Sequence, residues 1–133
     1  MKVYTFRLKP GQDLKPEIEK FVSENSIKAG FVITCVAGFT HVTLRMAGAE
    51  PENQDVRKLE GPFELTSLVG TVSTNGCHLH VTVTDRDGKA VGGHLKEDSP
   101  VNPTAEIVIG VDESKTYYRE MDNDTGFNEL VVK

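Results

Sequence analysis

Between Gly76 and Leu95, two runs of alternating apolar and polar residues flank Asp87-Gly88, and this pattern leaves the chain little choice but an antiparallel hairpin. A three-residue loop with a type I turn, and Gly88 in the left-handed position, sets Thr84 against Ala90, Val83 against Val91, Val81 against Gly93, His80 against His94 and Leu79 against Leu95. One face is then apolar, while the other carries histidine, threonine and small residues. A four-residue loop would place His94 against Leu79 and mix the faces. Because a one-residue slip turns a whole strand over, the first register is the expected one.

The rest of the chain extends this theme. Lys2 to Leu8 alternates and reads as a strand, closed by Pro10-Gly11. Asp13 stands where a helix N-cap is expected, with Pro16 and Glu17 in the first turn. Leu14, Ile18, Phe21 and Val22 then line one face of a helix ending near Asn25. Beyond Gly30, β-branched and aromatic runs predict strands at 31–36, 40–46, 55–59, 63–72, 77–84, 89–95, 105–111, 115–120 and 128–132. The polar, proline-interrupted stretch Ala47–Asp55 is a loop. One helix and many hairpin-connected strands predict an α+β fold: a single compact domain over residues 1–133, mostly antiparallel sheet. So many strands leave edges to be covered, and self-association is the simplest cover.

Charge and composition exclude several function classes. With 15 Lys and Arg against 20 Asp and Glu, the net charge of −5 disfavours nucleic acid as a partner. No stretch approaches the ~20 apolar residues of a membrane span, and no apolar signal core follows Met1. Two cysteines make no disulfide framework, so the expected setting is intracellular and cytoplasmic.

The hairpin register supplies the chemistry. His78 and His80 lie two apart on one strand face, and His94 lies directly across from His80. Three imidazoles converging from adjacent strands form a common zinc-ligand set with an open fourth position, and imidazole also suits copper, nickel and iron. A His-x-His pair alone is usually two outward polar residues; His94 gives the pattern its weight. Gly92 and Gly93 remove bulk beside His94, leaving space for a ligand or for a neighbouring backbone.

Other candidates carry less. Cys77 shares the parity of Leu79 and Val81, and Cys35 sits in an apolar run, so both read as buried reduced thiols. His41 shares a face with Thr43 and Arg45, either on the surface or near the site. Glu64 and Glu106 are carboxylates inside strands, on a solvated face or serving as a metal's outer partner or general base. Glu120–Asp124 lacks the spacing of a calcium loop.

Taken together, Gly76-Cys77-His78-Leu79-His80, Asp87-Gly88, Gly92-Gly93-His94-Leu95 and Thr104-Ala105-Glu106 resemble the plants-and-prokaryotes conserved (PPC) domain. Phe63–Gly70 upstream and Tyr118–Phe127 downstream also fit. The resemblance implies an α+β domain assembling as a homotrimer, with a metal site in prokaryotic-type members that carries over onto His78, His80 and His94. Many such members bear a DNA-binding label. Plant relatives couple the domain to AT-hooks, which this sequence lacks, and their Gly-Arg-Phe-Glu-Ile-Leu core is Gly61-Pro62-Phe63-Glu64-Leu65-Thr66 here. The expected protein is thus a stand-alone, prokaryotic-type homotrimer that binds zinc or a similar divalent transition metal, with room for a small-molecule ligand. The alternatives are a DNA-associated transcriptional regulator and a hydrolase-like, metal-dependent enzyme with Glu64 or Glu106 as base. No motif names a substrate.

Overall fold

The alternation read from the sequence becomes strand at nearly every expected place in the computed structural model, which describes residues 1–133. In chain order the elements are β1 (Lys2–Leu8), α1 (Leu14–Glu24), β2 (Gly30–Arg45), β3 (Val56–Ser73), β4 (Gly76–Thr84), β5 (Ala90–Leu95), β6 (Val101–Val111), β7 (Tyr117–Met121) and β8 (Asn128–Val132). Six strands form one sheet in the order β1-β6-β2-β3-β4-β5, and β7 and β8 form a separate hairpin. All strand pairs are antiparallel. The C-terminal end of β2 also pairs with β5, at Leu44–Leu95 and Arg45–His94. The strands β2-β3-β4-β5 therefore close on themselves like a small barrel, removing edges that would otherwise stay open.

Two strands are longer than the sequence suggests. The expected strands 31–36 and 40–46 are one, β2, and 55–59 and 63–72 are one, β3. Gly38 and Gly61 read as breaks, yet they are points of close backbone approach: a Cβ on Gly61 would stand 2.6 Å from the Thr40 carbonyl oxygen. β2 bends at a register shift between Phe39 and His41, so its first half serves β6 and its second half serves β5. β6 also starts earlier than expected, at Val101, which pairs with Phe39.

Inside the barrel the period of two is strict. Leu79, Val81 and Val83 of β4 and Ala105, Ile107 and Ile109 of β6 are all buried in one common core. The helix packs Leu14, Ile18 and Val22 into that core, which stabilises the fold by about 1.5–3 kcal/mol per fully buried side chain. Phe21 stacks on Phe6 of β1 with ring centroids 3.9 Å apart. Asp13 occupies the N-cap position, but its side chain makes no cap bond. Its two carboxylate oxygens instead accept the backbone N–H groups of Asp98 (2.8 Å) and Ser99 (3.0 Å), pinning the β5–β6 connection to the helix start. The result is a single domain, and no helix is long and apolar enough to cross a membrane.

Candidate metal centre

The β4–β5 ladder has the register that places the histidines together: His80 pairs with His94, Val81 with Gly93, Thr82 with Gly92, Val83 with Val91 and Thr84 with Ala90. Gly88 takes a φ of +75°, and the Asp85 carboxylate accepts the N–H groups of Asp87 and Lys89 (2.9 Å each), so the three-residue turn is locked by its own side chain. Leu95 departs from the expected pairing with Leu79. It turns toward Leu44 of β2 instead, because β5 leaves β4 to close the barrel.

The three rings stand on the outer face of the barrel. His78 Nε2 lies 3.1 Å from His80 Nε2, and one nitrogen from each of His78, His80 and His94 falls within 4.8 Å of the other two. Two nitrogens on one tetrahedral zinc at about 2.0–2.1 Å stand roughly 3.3 Å apart. His78 and His80 already meet that spacing, while a nitrogen of His94 lies within 4.8 Å of both. His94 Nδ1 is buried and has no hydrogen-bond partner. A buried imidazole nitrogen without a partner is a costly arrangement unless something else occupies it.

Electrostatics favour the neutral, ligating form of these rings. Burial pushes His94 down to about 3, and Arg45, His78, His80 and Lys96 act in the same direction. His78 is also held below the ordinary histidine value, first by burial and then by the neighbouring His80 and Arg119, while Glu129 opposes the shift. The donor set, its spacing and its protonation state fit a divalent transition metal such as zinc.

The glycines beside His94 serve backbone approach. A Cβ on Gly92 would stand 2.7 Å from the Val81 carbonyl oxygen, and one on Gly93 2.7 Å from that of Arg45. Across β4, Gly70 has a φ of +144°, and a Cβ there would collide with the carbonyl of His78. Glycine at this position lets β3 hold the His78 backbone closely.

The other candidates lie elsewhere. Glu64 pairs with Thr84, four residues along β4 from His80 and so about 13 Å away, beside a separate cavity of about 670 Å³. Glu106 pairs with Arg7 of β1 and Val36 of β2. Neither belongs to the histidine cluster. His41 Nε2 lies 2.7 Å from Asp98 Oδ1, with Lys58 3.5 Å from the same carboxylate, in a group of its own. Burial pushes the Cys35 thiol up to about 12 and the Cys77 thiol up to about 11, so both are protonated at neutral pH; Cys77 is half-buried rather than buried.

Sequence reasoning did not find the residues that flank the trio. Arg45 reaches it because β2 pairs with β5, which places Arg45 directly beside His94. Arg119, Phe127 and Glu129 come from the β7–β8 hairpin, which leans against this face. Arg119 donates from Nη2 to Thr71 Oγ1 (2.7 Å), and the Arg45 guanidinium lies over the Phe127 ring at 5.4 Å. The strand parity of Arg45 was visible in the sequence, but its neighbour was not.

Known proteins share this architecture. Over all 133 residues the chain is 36% identical to the bifunctional protein GlmU of two Synechococcus strains, although it spans only 21% and 20% of their lengths. A hypothetical protein from Salmonella enterica is 36% identical with a TM-score of 0.93, over 99% of this chain and 93% of that one. A metal-containing protein from Archaeoglobus fulgidus is 27% identical with a TM-score of 0.81, over 98% and 94% of the two chains. The Plants and Prokaryotes Conserved (PCC) domain model matches residues 1–112, which include His78, His80 and His94 and stop short of the β7–β8 hairpin. The chain belongs to the Plants and Prokaryotes Conserved domain family.

Proposed function

We propose that this chain is a metal-binding protein of the family, in which His78, His80 and His94 hold a zinc-like divalent ion and the assembly is a homotrimer. The observation that carries the reading is the buried, unpartnered His94 Nδ1 within a cluster of three imidazoles. The description of the Archaeoglobus relative as metal-containing is in keeping with it. Self-association draws support from apolar side chains left in solvent on strands of the main sheet, with Val36 60% and Val3 50% exposed. The test is the metal content of purified, untagged protein by mass spectrometry, beside His94→Ala at matched purity. About one ion per chain, lost in the variant, is the expected result; equal content in both would overturn the assignment. Light scattering checks the trimer.

A second reading, a metal-dependent enzyme, is favoured by a cavity of about 420 Å³ adjoining His78 and His94. A metal at an open site acidifies bound water and polarises a substrate oxygen. A screen of ester, amide and phosphate substrates with and without chelator decides this reading, and silence across it removes the reading. The DNA-associated reading has the net charge of −5 against it, and absence of a gel shift at low salt ends it.

A further inference from the structure

Two arginines line one cavity at the edge of the histidine cluster, and neither is in an ion pair. Arg45 on β2 and Arg119 on β7 both border the 420 Å³ cavity with His78 and His94, and neither guanidinium takes part in an ion pair. Of the other three arginines, Arg57 pairs with Asp55, and Arg7 and Arg86, which also lack an ion pair, are exposed. Arg45 and Arg119 are half-buried, where an unneutralised guanidinium is more costly than in open solvent.

Their surroundings hold them in place without using their full donor capacity. Arg119 gives one Nη2 bond to Thr71, and the Arg45 guanidinium is stacked on Phe127, which fixes a ring against it but accepts no conventional hydrogen bond. Gly76 assists, since a Cβ there would stand 3.2 Å from Arg119 Cγ and crowd that side chain. A guanidinium presents five N–H donors in a rigid fork matched to carboxylate and phosphate oxygens. The one carboxylate beside them, Glu129, accepts a bond from Thr125 Oγ1 at 3.0 Å and leaves the cavity with a positive balance. The volume suits a small molecule and not a macromolecule.

The geometry points to an oxyanion-binding pocket here: Arg45 and Arg119 together grip the carboxylate or phosphate group of a small ligand whose other end faces the histidines. This deepens the metal-centre reading and rests on it for what the far end of the ligand meets. Glu129 is positioned to accept a hydrogen bond from a hydroxyl or amino group on the same molecule, which makes a bare inorganic anion a weaker ligand than a substituted one.

NMR titration of isotope-labelled protein tests the pocket, with propionate and methyl phosphate as separate probes, on chelator-treated and on zinc-loaded samples. The expected result is saturable movement of the Arg45 and Arg119 Nε–H resonances with at least one probe. Arg45→Gln should weaken binding about tenfold or more, the usual consequence of losing a charge-assisted bond. Arg119→Lys keeps the charge and its contact with the sheet but loses the fork, and should weaken binding severalfold. Arg7→Gln, an exposed arginine bonded to Thr104 on another part of the surface, should leave it unchanged. Response to one probe alone assigns the ligand as carboxylate or phosphate. No saturable shift in either sample, or equal affinity in Arg45→Gln, overturns the inference. Histidine ring resonances report zinc in the same spectra: zinc without anion binding sinks the pocket and keeps the metal centre, and anion binding without zinc does the reverse.

Discussion

Replacing His94 with leucine should make the metal-free protein more stable while abolishing its response to metal. His94 Nδ1 is buried without a partner, and burial holds the ring neutral down to about 3. Leaving such a nitrogen unsatisfied costs about 1–3 kcal/mol. Leucine has similar bulk and no polar atom to strand. Because His94 keeps some exposure, the lower part of that range applies, about 1–2 kcal/mol. For a domain of this length that is a rise in melting temperature of roughly 3–10 °C. Zinc at a hundredfold excess over its dissociation constant should add about 2.7 kcal/mol to the wild type and nothing comparable to the variant. The assay is thermal melting by circular dichroism at one fixed protein concentration, in chelator and in excess zinc. A His94→Leu protein with native far-ultraviolet dichroism that melts below the wild type in chelator would refute the reasoning.

Acid should destabilise the metal-free wild type between about pH 6.5 and pH 3. Both His78 and His94 have folded-state values below the ordinary 6.5, so the unfolded chain takes up protons that the native chain refuses, and stability falls as pH drops through that window. Urea midpoints at pH 7 and pH 5 should differ less in His94→Leu than in the wild type; an equal difference rejects the linkage. Gly70→Ala should cost about 1–3 kcal/mol through its φ of +144°, and more through its clash with the His78 carbonyl, visible as a lowered urea midpoint. Asp13→Ala should cost about 2–3 kcal/mol, because two backbone N–H groups lose a charged acceptor. A loss under 1 kcal/mol, the scale of a simple helix cap, would contradict that role.

The histidine face was legible because it is local. His78, His80 and His94 sit on one hairpin whose turn residues and alternation fix the register, so strand parity alone brings the rings together. Arg45, Arg119 and Glu129 were illegible for the opposite reason: they arrive through the β2–β5 closure and through a hairpin near the end of the chain, and no periodicity encodes either approach. The length of β2 and β3 was hidden by Gly38, Gly61 and Pro62, which usually interrupt strands and here mark bends and close contacts. Asp13 shows the same limit, since its position was evident but its partners lay 85 and 86 residues away.

The β4–β5 hairpin has a consequence for the order in which this molecule assembles. A three-residue turn closes on the microsecond scale, long before strands fifty residues apart meet. All three imidazoles therefore come together in a segment of twenty residues, Gly76–Leu95, while the arginines join only once β2 finds β5 and the last hairpin docks. An isolated hairpin is marginal in water, so a nascent one that captures an ion gains folding energy at the moment it needs it. The ion would then act as a nucleator as well as a resident. A Gly76–Leu95 peptide that gains strand signal on adding zinc, and loses that gain with His94→Ala, is the signature of such a portable unit.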